Sequence, residues 1–233
     1  FGHVLSREVI DRGFDWFWRH LRRLDDGFDL VVSASDSLSH RLADGGLQRV
    51  MTLPMGVEPG LFSPQRRNEL LRARLLDRCG LGPDATLLLG VGRHAPEKRW
   101  PMVIEAVTSA GYSSPIGLVL VGDGRERARV LRAASNNPHI QLLAPVHDRS
   151  MLAELLASAD ALVHGCEAET FCMVAAEARA SGLPVMLPDE GGASDQARGS
   201  GGFLYRARQA DSLSATILSF VASEVATHRR HAH

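Results

Sequence analysis

The sequence predicts an α/β fold in which a parallel sheet carries helices on both faces. Three observations point there. Short, near-continuously apolar runs recur at TLLLGVG (86–92), IGLVLVGDG (116–124), HIQLLAPV (139–146), ALVHG (161–165) and LPVMLP (183–188). Such runs suit strands buried on both sides. Helical segments separate them, as the crossovers of a parallel sheet require. Several runs also close on glycine, at the carboxyl ends of strands, where sheets of this kind bind ligands.

Taken in order, residues 6–24 read as an amphipathic helix with Ile10, Phe14, Phe17, Trp18, Leu21 and Leu24 on one face. FDLVVSAS (28–35) is a strand, Asp36–Ala43 a short helix stopped by Gly45 and Gly46, and RVMTLP (49–54) a strand. MGVEPGLFSP (55–64) has no periodicity and is rich in Gly and Pro, so it reads as a hinge. This divides the chain into 1–54, the hinge 55–64 and a larger domain 65–233. In that domain the strands alternate with helices expected at 65–78, 101–110 (Pro101 in its first turn), 125–134, 149–158, 171–181 and 211–226.

Composition narrows the function. With 45% hydrophobic residues in 233, the chain can build a real core. Its net charge of -1, from 26 basic and 27 acidic side chains, gives no electrostatic reason to expect a nucleic-acid partner. The 3 cysteines form no Cys-x-x-Cys pair, which favours a reducing, cytoplasmic setting over a disulfide framework. No apolar stretch is long enough to span a membrane and no signal peptide is visible. Because the chain starts at Phe1 within a helical pattern, it reads as a fragment of a longer protein.

Two segments carry chemistry. In GVGRHAPEK (90–98) a strand delivers Gly90 and Gly92, then Arg93 and, five residues later, Lys98. Glycine lets a phosphate approach the backbone, and a guanidinium with an ammonium would stabilise the growing charge of a departing diphosphate. Gly90, Gly92 and Ala95 also fit a dinucleotide fingerprint, but Pro96 interrupts the helix that should follow.

The second segment is HGCEAETFCMVAAEARASGLPV (164–185), in which seven residues separate Glu169 and Glu177. Thr170 is the expected helix cap, leaving the amides of Phe171 to Val174 open to a phosphate. Glu169 would accept hydrogen bonds from sugar hydroxyls and Glu177 from ribose hydroxyls. A carboxylate among Val174, Ala175, Ala176 and Ala178 is expected to have a partner.

With these segments the chain resembles the retaining glycosyltransferases of group 1, the glycogen-synthase-like family with the B-type fold of two Rossmann-like domains. The matching pieces are PMGVEPGLFSP, GVGRHAPEK, LVLVGDG, ETFCMVAAEA, ASGLPV and DEGGASDQA, in the family's order. The resemblance implies a Rossmann-like donor domain preceded by a remnant of the acceptor domain, so a truncated architecture. It implies that Arg93, Lys98 and Glu169 are the catalytic set. The donor would be held by Gly92, Arg93, Lys98, Glu169, Phe171, Cys172, Met173 and Glu177. It further implies transfer of a hexosyl group from a UDP-, GDP- or ADP-sugar to a hydroxyl of a sugar or lipid-linked acceptor, with retention, in cell-envelope lipid or polysaccharide synthesis. No cofactor or metal is expected. Three positions depart from the pattern: Cys172 stands where the family usually has Gly, Arg99-Trp100 follow Lys98 where Gly is common, and Met55 replaces a frequent Asn.

Other features weigh less. His164, Cys166 and Cys172 are soft metal ligands without an evident fourth. His147 could face a nucleotide base, although an ordinary loop histidine is the plainer reading, and Asp189–Gly192 is a strand-end loop that the resemblance places beside the sugar. Arg12, Arg19, Arg22, Arg23 and Trp16 would let the first helix rest on the inner face of a membrane, although core packing is the plainer reading. The alternatives of other classes are a non-catalytic nucleotide-sugar-binding module, a sugar-nucleotide 2-epimerase and a dinucleotide-dependent oxidoreductase.

Overall fold

A computed structural model describes residues 16–23, 25–198 and 202–231, with only the backbone for 224–231. The chain divides into two compact units, Phe1–Met55 and Gly56–His233.

In the first unit, residues 16–23 are helical (α1), and the part of the expected first helix before residue 16 lies outside the described residues. Phe17, expected on the buried face, is 45% exposed. Trp18 instead covers Gly45, where even a Cβ would lie 2.1 Å from its ring. Two short parallel strands, β1 (Val31–Ser33) and β2 (Val50–Thr52), flank α2 (Asp36–Asp44). Ser35 caps α2 through Leu38 N at 3.3 Å.

The second unit contains α3 (Glu69–Arg78), β3 (Thr86–Val91), α4 (Trp100–Gly111), β4 (Ile116–Val121), α5 (Arg127–Ala134) and β5 (Ile140–Leu143). It continues with α6 (Arg149–Ser158), β6 (Ala161–Val163), α7 (Met173–Ala180), β7 (Val185–Pro188), α8 (Gly191–Ala197), β8 (Phe203–Tyr205) and α9 (Ala210–His231). The hinge segment contributes to this unit: Phe62 is buried and Pro64–Arg66 form a 3-10 turn. That turn displaces the expected start of α3 from residue 65 to Glu69, where Asn68 is the cap and accepts from Leu71 N at 3.1 Å.

The six strands form one parallel sheet in the order β5-β4-β3-β6-β7-β8. Alternate residues feed two cores. Leu87, Leu89, Val119, Val121, Leu162, Val185 and Leu187 face α3, α6, α7 and α8, while Leu88, Leu118, Leu120, Val163 and Met186 face α4, α5 and α9. Full burial of each leucine is worth about 1.5–3 kcal/mol. The near-continuous apolar runs are thus strands covered on both sides, as expected. Strand order reverses between β3 and β6. Connections leaving that point go opposite ways and open a crevice at the strands' carboxyl ends.

Two elements differ from expectation. Asp189–Gly192, read as a loop, leads into α8, and Phe203–Tyr205 adds an edge strand. Two others start later: α5 at Arg127 and α7 at Met173.

Candidate active site

Lys98, His164 and Glu169, all singled out in the sequence, meet at the switch point between β3 and β6. After β3, the chain runs through Gly92–Ala95 into a 3-10 turn, Pro96–Lys98, and then into α4. The indole of Trp100, fully buried, donates to the Arg93 carbonyl at 2.9 Å and holds this loop down. After β6, residues 164–172 form the facing loop. Gly165 lets the two loops close, since a Cβ there would stand 2.6 Å from the Lys98 carbonyl oxygen. Arg99 adds a second tie: its Nε donates to Glu167 Oε2 at 2.7 Å, and Nη2 also bonds Glu167 Oε1. That hydrogen bond raises the Arg99 pKa and lowers that of Glu167.

Lys98 Nζ donates to Glu169 Oε1, and His164 Nε2 lies 3.1 Å from the same oxygen. Lys98 and Glu169 keep side-chain exposures of 16% and 20%, whereas His164 is fully buried. The His164 hydrogen bond, then Lys98, hold the Glu169 carboxyl down to about 2, against its burial. Burial holds the His164 imidazole below its ordinary range. Gly92 borders this group, because a Cβ on it would meet Lys98 Cε at 3.8 Å.

Cys172 precedes α7 with φ 71° and ψ 69°, and no side chain caps the helix. The expected cap, Thr170, therefore does not serve. Here the chain turns in the left-handed region, which costs a residue bearing a Cβ on the order of 1 kcal/mol. This is the position where the resemblance expects glycine. Among the described residues, the amides of Phe171, Cys172, Met173 and Val174 make no hydrogen bond within the protein. Those of Cys172, Met173 and Val174 are the orphan donors of a helix start that lies two residues later than Thr170 would have put it. The segment is braced by Gly192 N on the Glu169 carbonyl at 2.8 Å and by Gln196 Nε2 on the Phe171 carbonyl at 3.1 Å. At Gly191, φ 71° and a Cβ position 2.1 Å from the Glu167 carbonyl oxygen leave room only for glycine. Burial pushes the Cys172 thiol up to about 12.

Two site residues sit apart from this cluster. The Arg93 guanidinium is 78% exposed and pairs with Glu97 at 3.3 Å, so it does not join Lys98 in one clamp. Glu177, the fifth residue of α7, is buried at 4% exposure and pairs with Arg149 Nη1 at 3.0 Å. Burial raises its carboxyl pKa and Arg149 opposes the rise. The partner that its apolar neighbours called for is thus Arg149, at the start of α6, which also stacks over Phe62 at 5.0 Å. Sequence reasoning missed Arg99, Glu167 and Arg149, and took His164 only as a metal ligand. Their charge, at the first residue of the following helix or in the loops after β3 and β6, was the available signal.

His164, Glu169 and Cys172 place ligand atoms within 4.8 Å of one another. The Lys98 ammonium already puts a positive charge on the same carboxylate, so the group reads as an ion-pair network rather than a cation cage. A separate cavity of about 910 Å³ opens at the opposite end of the sheet, lined by Arg67, Arg72 and Asp160 among others. Its charges are spent on structure. Asp160 accepts from Arg72 Nε at 2.9 Å, Arg72 Nη2 at 2.7 Å and the Leu87 amide at 2.8 Å.

Known proteins resemble this chain in sequence and fold. The family described as "Glycosyl transferases group 1" matches residues 77–232. A GDP-mannose-dependent alpha-mannosyltransferase of Mycobacterium tuberculosis (strain CDC 1551 / Oshkosh) is 40% identical over 77% of this chain and 44% of its own length. A D-inositol 3-phosphate glycosyltransferase of Geodermatophilus obscurus is 31% identical over 88% of this chain and 50% of its own. The crystal structure of Anabaena Alr3699/HepE in complex with UDP-glucose superposes with a TM-score of 0.71 at 21% identity, covering 89% of this chain and 58% of that one. The chain spans about half the length of the curated relatives it matches. On the extent of the family match and the identity to these relatives, the chain belongs to the group 1 glycosyltransferases.

Proposed function

We propose that the chain binds a nucleoside-diphosphate sugar at the β3/β6 switch point and forms the donor-binding part of a retaining hexosyltransferase. The observation that carries this reading is the Lys98–Glu169–His164 cluster beside the unpartnered amides at the start of α7. Lys98 and those amides would receive the diphosphate, and Glu169 the hydroxyls of the sugar. Glu177, on the same helix, would take the ribose. Arg93 reaches the diphosphate only by turning from Glu97.

In the reaction, the bond from the anomeric carbon to the diphosphate oxygen breaks, and a bond from the acceptor oxygen to that carbon forms on the same face. The acceptor's proton passes to the departing phosphate. Lys98 and the helix amides stabilise the developing charge, a task a divalent ion performs elsewhere. The relatives' names favour GDP-mannose as donor, and one names phosphatidylinositol dimannoside, a lipid, which suits an acceptor of cell-envelope lipid or polysaccharide synthesis. Work at the cytoplasmic face of a membrane fits that role. No helix among the described residues is long and apolar enough to cross one.

Calorimetry of this chain with GDP-mannose, UDP-glucose and ADP-glucose tests the reading. One of them should bind, and Lys98→Ala should weaken it at least tenfold, or about 1.4 kcal/mol. Binding of none, or an unchanged affinity in the variant, would overturn it.

A further inference from the structure

His164 belongs to the cluster, but the donor reading gives its ring no task of its own. Its peptide N–H donates to the Met186 carbonyl at 3.1 Å, and its carbonyl accepts the Tyr205 hydroxyl at 2.7 Å. The imidazole meets the Trp100 ring edge-on, with centroids 6.5 Å apart. Backbone and ring are therefore both fixed. Nε2 reaches Glu169 Oε1, while Nδ1 is buried without a hydrogen-bond partner. An apolar residue would avoid that unmatched nitrogen. A native chain that keeps a buried polar atom unmatched invites an explanation, and the Nε2 bond supplies one.

Glu169 has two restraints of unequal stiffness. The Lys98 ammonium sits on a flexible four-carbon stem, and left alone it would draw the carboxylate wherever the stem went. The imidazole is held at both ends. Because an ionised carboxylate only accepts, the neutral ring carries its proton on Nε2. Both donors converge on Oε1, and among the described residues Oε2 has no hydrogen-bond partner.

We infer that His164 is a positioning residue, clamping Glu169 by Oε1 so that Oε2 stays presented to the hydroxyls of the donor's sugar. This rests on the donor reading above and adds a role to a residue outside the two-glutamate motif. His164 should then matter to the sugar half of the ligand and be indifferent to the nucleoside diphosphate half.

The test compares GDP-mannose with GDP, or UDP-glucose with UDP if that sugar binds better, by calorimetry on the whole chain. In His164→Phe, affinity for the nucleotide sugar should fall about tenfold, while affinity for the free diphosphate stays within twofold of the parent. His164→Gln, which can return an N–H near the Nε2 position, should recover most of the loss. In a Glu169→Ala background, where no acceptor is left to clamp, the Phe substitution should have no further effect on nucleotide-sugar affinity. Equal losses for sugar and diphosphate, no loss at all, or no recovery with Gln would overturn the inference and leave donor binding standing. If the parent chain bound neither these four probes nor ADP-glucose, the donor reading would fall and this role with it.

Discussion

Replacing Glu169 with Gln keeps the side chain's shape and removes its charge, leaving the Lys98 ammonium without its anion and weakening the acceptor for His164. The structure supplies the scale. The carboxyl is held at about 2, against an ordinary 4.5, chiefly by the His164 hydrogen bond and then by Lys98. That span of about 2.5 units, at about 1.36 kcal/mol per unit, is roughly 3 kcal/mol before solvent screening. Both partners keep some exposure, 16% for Lys98 and 20% for Glu169, which lowers the expectation to about 1.5–2 kcal/mol at neutral pH.

The pH dependence follows from linkage. Since the folded-state pKa lies below the unfolded one, the unfolded chain takes up the proton first as pH falls. The contribution is whole above about pH 4.5, erodes from there towards pH 2, and is absent below. Urea unfolding of the parent and Glu169→Gln, followed by far-ultraviolet circular dichroism from pH 7 to pH 3, measures the difference directly, and other carboxylates cancel. A gap that is flat from pH 5.5 to pH 7 and closes below pH 4.5 supports the network. A gap that stays constant down to pH 3, or a variant as stable as the parent at pH 7, would show that Lys98 and His164 do not hold this carboxylate.

Two further outcomes are expected. Asp160→Ala should destabilise the second unit by about 3 kcal/mol, because Arg72, at 15% side-chain exposure, loses its anion and the Leu87 amide its acceptor; the thermal midpoint should fall by several degrees, and an unchanged midpoint would mean the pair adds nothing. His94 is buried with neither ring nitrogen hydrogen-bonded, so His94→Leu should stabilise the fold by about 1 kcal/mol. Burial holds the His94 pKa below 6.5, so the unfolded chain protonates first and the parent loses stability as pH falls below about 6.5. The leucine variant should lose less in urea titrations between pH 7 and pH 5, and an identical decline in both would refute the assignment.

The sheet was legible because its signal is local. Runs such as LLLGV and LVLV are buried on both faces, and nothing in their surroundings needed to be known. The misses have tertiary causes. Thr170 is a good cap by propensity, yet the chain continues past it and starts α7 after a left-handed Cys172. Gly191 and Gly192 disfavour helix, but α8 forms because Ala193 and Ala197 pack into the core behind the site. Three residues of β8 at the sheet edge carry too short a pattern to register. Lys98 and Glu169 were both singled out as ligand residues, but their contact spans 71 positions and is created by the reversal of strand order. Glu177 was singled out too, but its partner Arg149 was not, because two crossovers bring the pair together.

These pairings bear on how an anionic ligand could enter a site whose charges already satisfy each other. If binding required Lys98 to leave Glu169, the ligand would have to replace a partly buried ion pair, and the two interactions would compete. The chemistry of the donors removes the conflict. An ammonium carries three N–H bonds, and Lys98 gives only one to Glu169. The rest can turn to a phosphate while the pair stays closed. A guanidinium has five N–H bonds, and only Nη1 of Arg149 is engaged with Glu177. The closed pairs then act as a preset geometry rather than a barrier. On the proposed donor reading, a ligand's diphosphate would add to Lys98 and its sugar to the open oxygen of Glu169, and neither would need the carboxylates to move.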